Sequence, residues 1–395
     1  MKRPFLFSVS GTALIAVTYG LVRLAYGLVL PDVQAELHLG ATGAGWISAG
    51  ASVLYCLGAV VGFLLASRYP RSLVVLAAAT AGTGSAGVAA SGTSAVFGAA
   101  AVLASAGAGL ASPALVRLVA RNVRSGAVAR TQTIVNAGTG PGLVVAGVLA
   151  LLLLPDWRAA WVISAVCAFA AGAAVLWADH APGGHADADE QRVALPSRSW
   201  WRRHGALLAG ALLLGAGSAA TWNSGRAVLV ASGADRDASV LAWVALGLGG
   251  AAVTATGRWT DARSPRSAWT ITVLAVAIGT VALGLAPSVL PVALVACLVF
   301  GWGYTAGTGA LIAWTSDLDP AHAPSGTSML FVTLVLGQAV GAAAAGAVVD
   351  VSGYAVAFVL AAVVVAVGAV VPVLGSRPAG RSHRTPRVVR QDGLP

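Results

Sequence analysis

The stretch DHAPGGHADADEQRVALPSRSWWRRH, residues 179–204, is the one long polar passage inside an otherwise apolar chain. On both sides of it the composition changes sharply. Over the whole chain 57% of residues are apolar or aromatic and only 10% are charged, too few charges to cover the surface of a soluble protein of this length. Apolar runs of about 18 to 25 residues, long enough to cross some 30 Å of hydrocarbon as helix, recur throughout. Twelve are expected, at 7–30, 43–66, 72–90, 95–117, 131–154, 159–178, 205–230, 239–257, 267–286, 289–315, 326–349 and 354–375. Six precede the polar stretch and six follow it. The chain therefore reads as an all-α integral membrane protein: a six-helix bundle in 1–178, a connection in 179–204, a second six-helix bundle in 205–375, and a basic tail in 376–395 expected to be disordered.

Basic residues give the orientation. Of 24 lysines and arginines, 20 fall on one face of the expected topology, from Lys2 and Arg3 through Arg68, Arg71, Arg117 and Arg121 to the linker and the tail. The other face has Arg158 and Arg236, while Arg23 and Arg226 lie within spans. Basic residues accumulate on the cytoplasmic side, so both termini and the connection are expected in the cytoplasm. The net charge of +10 is then a topology signal, and no nucleic-acid partner is expected. Arginine outnumbers lysine 23 to 1, with abundant alanine and glycine, as in a GC-rich bacterial genome; the expected location is the bacterial cell membrane. The first apolar run continues through Tyr19, Arg23 and Tyr26 without a small-residue cleavage site and is expected to remain as a span. Cys56, Cys167 and Cys297 sit in three different spans, which suits packing and not a disulfide framework.

The halves resemble each other. GAVVGFLLASRYPRS after the second span and GGAAVTATGRWTDARSPRS after the eighth both end in a basic Pro-Arg-Ser turn. Internal duplication on this scale is characteristic of transporters that bind substrate between repeats near the midplane.

GRWTDARSPR, residues 257–266, resembles the loop motif Gly-x-Leu-x-Asp-Arg-x-Gly-Arg-Arg of the major facilitator superfamily, with Asp261, Arg263 and Arg266 in its charged positions. The first-half counterpart keeps Arg68 and Arg71 and lacks the acid. NAGTGPGLVVAG, residues 136–147, resembles the Gly-Pro motif of superfamily antiporters, with Gly138, Gly140 and Pro141 as structural positions where a helix bends and a neighbour approaches. LGQAVGAAAAGAVVDVSGYAVAF (336–358) and LPDVQAELHLGATGAGW (30–46) match superfamily passages as well. One motif is missing: Leu103 stands where an arginine of the fourth span is often found. The resemblance implies two pseudo-symmetric six-helix bundles around a central cavity and transport of a small organic molecule by alternating access. Efflux by proton antiport is the leading expectation, with protons as the coupling ion. Uptake or facilitated diffusion of an organic anion is the alternative.

TYGLVRLAYGLVLPD, residues 18–32, places Arg23 inside the first span. A guanidinium in hydrocarbon is costly unless it faces protein or water. At α-helical spacing Tyr19, Arg23 and Tyr26 share one face, and the first span of the superfamily lines the cavity. Its second-half equivalent carries Trp222, Asn223 and Arg226. Arg23, and less directly Arg226, are expected to hold an anionic group of the substrate; a structural pairing of Arg23 with carbonyls or Asp32, and of Arg226 with headgroups, stays open. Asn136, Trp302, Tyr304 and Gln338 are further cavity candidates. No acid lies in mid-span, so Asp32 and Asp261 are the best carboxylates for coupling, with Arg68, Arg71, Arg263 and Arg266 as gating partners. No nucleotide loop, metal-spaced cluster or nucleophile–base pair is found, so no enzyme activity, cofactor or metal is expected. A monomer in the bilayer is.

Overall fold

A computed structural model of the chain describes residues 2–179 and 198–375, and every regular element among them is a helix. Ten helices of spanning length are α1 (Phe5–Leu37), α2 (Ala41–Leu65), α3 (Pro70–Ala89), α4 (Ser94–Asn122), α5 (Arg130–Leu153), α6 (Trp157–Ala178), α7 (Ser199–Ala231), α8 (Arg236–Thr260), α9 (Pro265–Leu285) and α10 (Leu290–Leu318). The final apolar element, Ser325–Val370, has 46 residues. At 1.5 Å per residue it would be about 69 Å long, more than twice the hydrocarbon thickness. Gly353, at φ 81° and ψ 172°, breaks it, giving α11 (325–352) and α12 (354–370). The tail, 376–395, and most of the expected connection, 180–197, lie outside the described residues.

The helix starts follow from local chemistry. Thr93, Asp156, Asp235 and Ser264 each accept a hydrogen bond from the backbone N–H three residues on, capping α4, α6, α8 and α9. Pro70, Pro265 and Pro291 sit in first turns, where no donor is lost. Two boundaries differ from expectation. α7 is already helical at Arg198, with Trp200 and His204 buried and the His204 ring stacked on Trp200 at 4.0 Å. α1 runs on through Pro31 to Leu37, because its last turns pack on α7; Asp32 is therefore a helical residue and not a loop residue.

Two apolar cores form, one mostly from the first half around Phe97, Leu115 and Trp157, the other mostly from the second around Trp269, Phe300 and Phe358. Each takes in a few residues of the opposite half, Trp243 in the first and Tyr55 in the second. Within α1, residues Ala16–Leu24 form a π-helical stretch, a wider turn that recurs at functional sites. It faces α5. Side chains at Gly138 and Gly142 would overlap the backbone of Thr12 and Ala16, and one at Gly20 would overlap Gly142. Gly140 faces open space, so the close approach in this motif belongs to Gly138, Gly142 and Gly20.

Candidate functional site

The two halves are joined at the arginine-poor end. Arg226, only 3% exposed, forms an ion pair with Asp32, donates to the Leu28 carbonyl at 2.6 Å and to Ser239 Oγ at 3.1 Å. Asp350, at the end of α11, accepts from the backbone N–H groups of Ala41 (3.2 Å) and Thr42 (2.8 Å) at the start of α2, where a helix N-terminus favours an anion. Arg236 donates to the Leu154 carbonyl. Glycines let the backbones meet: a side chain at Gly27 would overlap the Trp222 carbonyl, one at Gly45 the Ala342 carbonyl, and one at Gly346 the Ala41 carbonyl. Cross-half bonds continue inward through Ser48 Oγ to Asn223 Oδ1 (2.7 Å) and as far as Cys56 Sγ to the Val332 carbonyl (3.7 Å). Beyond that level Leu57, Val60 and Val61 of α2 are exposed.

Beneath the closed end lies a cavity with about 600 Å³ of empty space, its open mouth included. Both halves line it: Arg23, Ser48 and Ser105 from one, Trp222, Asn223 and Gln338 from the other. Arg23 bridges them. Its Nη2 donates to Gln338 Oε1 at 3.1 Å, its guanidinium carbon lies 4.1 Å from the Tyr55 ring centre, and its Nη1 is buried with no partner. Gln338 in turn donates to Tyr304 Oη at 3.0 Å. Trp222 stands edge-on to Trp243, Phe300 and Tyr304. No carboxylate is among the lining residues, so the cavity keeps the arginine's positive charge.

A model of the Major Facilitator Superfamily matches residues 12–333 and, in a second match, 238–391. The chain belongs to this superfamily. No curated protein matches its sequence significantly. Among solved structures it is similar to the nucleoside transporter NupG, at 13% identity over 95% of this chain and 99% of that one, with a TM-score of 0.80. It is also similar to a bacterial homolog of the human lysosomal transporter Spinster, inward-facing and unoccupied (14%, 95% and 97%, 0.76). A third is the xylose transporter XylE from E. coli, in a partially occluded inward-open conformation (13%, 94% and 97%, 0.73). At these identities the likeness is one of fold. The chain is a multi-pass transporter with the alternating-access architecture, and its relatives of this kind are not enzymes.

Within that architecture the expected site residues separate into groups. Arg23, Trp222, Asn223 and Gln338 line one cavity, and Tyr304 is bonded to it through Gln338. Tyr26 borders the cavity, but its hydroxyl donates to the Ala44 carbonyl at 2.9 Å, and Tyr19 is spent on Tyr55 (Oη to Oη 3.0 Å). Arg226 is taken up by Asp32. Asn136 is exposed at the end of a helical segment in α5, and Trp302 donates to Thr256 Oγ1 at 2.9 Å, pinning α10 to α8. Tyr55, Ser48 and Ser105 were not singled out from sequence: small hydroxyls and a lone phenol in apolar helices carry no pattern of their own.

At the arginine-rich end of the transporter, Arg68 lies over the Tyr69 ring, Arg263 over Trp259 (3.5 Å), and Arg266 over Trp314 (5.6 Å). The side chain of Asp261 lies outside the described residues. The acid missing from the first-half loop is supplied from elsewhere: Asp179, its side chain fully buried, receives Arg71 (3.0 Å), a two-pronged Arg121, and Asn122 Nδ2 (2.7 Å). This ties α3, α4 and the end of α6 together. Arg121→Ala would leave a buried carboxylate short of its main partner, a loss of about 3 kcal/mol. A clear drop in the melting temperature of the detergent-solubilised protein is expected, and an unchanged one would show the cluster to be energetically idle.

Proposed function

We propose that this transporter exports a small organic molecule bearing a negative charge across the bacterial cell membrane, with both termini and the 179–204 connection in the cytoplasm. The observation that carries the reading is Arg23: a cavity arginine between the two halves, with no carboxylate beside it. With the arginine-rich end cytoplasmic, the closed end faces outward and this is an inward-facing state, as are two of the similar structures. Export of an anion is favoured by an inside-negative membrane potential by about 2.3 kcal/mol per charge per 100 mV. Asp32 then belongs to the outer gate, where protons from outside reach it. Coupling by proton antiport would act through the Asp32–Arg226 pair, not through the cavity.

The test is reconstitution. Loaded proteoliposomes are expected to release an organic anion faster under an inside-negative potential than at zero potential, and Arg23→Ala to abolish counterflow. Release that ignores the potential, follows only a pH gradient, and is equal in both proteins would overturn the anion reading in favour of a broad proton antiporter. The alternative of anion uptake rests on the same cavity; it predicts accumulation driven by an inward proton gradient.

A further inference from the structure

Three side chains lining the cavity each carry a buried polar atom with no partner: Arg23 Nη1, Ser105 Oγ and Trp222 Nε1. The guanidinium and the indole N–H can only donate, and a hydroxyl donates as readily as it accepts. The strong acceptors nearby are occupied, Asn223 Oδ1 by Ser48 and Gln338 Oε1 by Arg23 itself. Buried donors without acceptors are rare in folded proteins, and three around one cavity point to a ligand that brings the acceptors. The charge is limited too. Arg226 is neutralised by Asp32 and does not line the cavity, which leaves one guanidinium and room for one negative charge. The rest of the wall combines uncharged polar side chains, among them Ser52, Asn223 and Gln338, with an apolar and aromatic part from Val22, Leu24, Ala101, Trp161 and the Trp222 ring.

From this arrangement we infer that the substrate class is a small monocarboxylate with a flat apolar body, its carboxylate received by Arg23 with the Ser105 and Trp222 donors, its body against the tryptophans. A phosphate monoester fits less well: it brings a second charge for which the cavity holds no cation. The inference rests on reading this cavity as the transported solute's site.

Benzoate, benzamide and phenyl phosphate share a ring and differ in the group that matters. Binding of each to the full-length purified transporter is read by tryptophan fluorescence and ligand-induced thermal shift, and counterflow of benzoate is read in proteoliposomes. Benzoate is expected to bind about tenfold or more tightly than the other two, the worth of one charge-assisted hydrogen bond. Arg23→Gln is expected to erase that preference. Trp222→Phe and Ser105→Ala keep the fold's apolar bulk and are expected to weaken benzoate several-fold and benzamide, whose neutral carbonyl is the weaker acceptor, clearly less; they keep the test decisive should the Arg23 variant not fold. Equal binding of benzamide, a preference for phenyl phosphate, or no binding of benzoate would each overturn the monocarboxylate assignment, even if other compounds are transported. Selective benzoate binding that depends on these donors, without counterflow, would uphold the site and sink the transport reading instead.

Discussion

Arg226→Ala is expected to open the arginine-poor end of the transporter. The pair it forms with Asp32 is nearly dry on the arginine side and crosses the two halves. Removing one partner of such a pair strands the other, at a cost of about 3 kcal/mol or more. Here the cost can be escaped without unfolding, because Asp32 regains water as soon as the halves separate at that end. The penalty therefore falls on the closed state alone and shifts the conformational balance by about a hundredfold, since each 1.4 kcal/mol is a factor of ten. The measurement is the labelling rate of a cysteine placed at Ala51, in the cavity wall, by an impermeant maleimide added from the arginine-poor side, in a chain whose three native cysteines have been replaced. Labelling should rise steeply in Arg226→Ala. It should fall back toward the parent rate in Asp32→Asn/Arg226→Gln, where no charge is stranded. A lower melting temperature with unchanged labelling would mean that the pair supports the fold and not the gate.

That role for Arg226 shows where the sequence was readable and where it was not. The all-helical membrane architecture and the position of Arg23 follow from local composition and from counting. Eleven apolar helices of spanning length are found among the described residues, the last broken at Gly353, and most of the polar stretch lies outside those residues. Arg23 could be placed because a charge in mid-membrane must face a cavity or a partner, and the apolar residues around it offer none. Arg226 reads from sequence as a second, less direct anion ligand, with pairing to headgroups open. Its partner, Asp32, lies in the other half of the chain, and the expected first span, 7–30, stops two residues short of it, whereas the helix runs on to Leu37. Periodicity carries no information about which distant helix end comes to rest beside an arginine. The Tyr19–Arg23–Tyr26 face was drawn at α-helical spacing, whereas Ala16–Leu24 is π-helical; the wider turn sends the two tyrosine hydroxyls to Tyr55 and to Ala44 and leaves Arg23 over the cavity. Asp179 was hidden for a similar reason. As the first residue of a polar stretch it reads as solvated, and only the convergence of α3 and α4 reveals its arginines.

The glycines separate two kinds of contact that look alike in sequence, and this gives the second large effect. Gly142 meets Ala16 within one half, whereas Gly45 and Gly346 meet Ala342 and Ala41 across the halves at the closed end. A side chain at Gly142 pushes apart helices that stay together throughout the transport cycle. The clash is with backbone and cannot be relieved by a rotamer change, so Gly142→Leu is expected to cost several kcal/mol and to give little folded protein. A side chain at Gly346 clashes only while the arginine-poor end is shut. Gly346→Leu is therefore expected to fold, to expose a cysteine at Ala51 from that side as Arg226→Ala does, and to lose transport, because the closed state is no longer reached. The clash adds a steric penalty on top of any lost contact, so the shift should be at least as large as that from the broken ion pair and should not be reversed by neutralising Asp32. Detergent melting, surface labelling and counterflow on the two glycine variants decide it. If Gly346→Leu fails to fold as Gly142→Leu does, the α2–α11 contact is permanent and the halves do not part there.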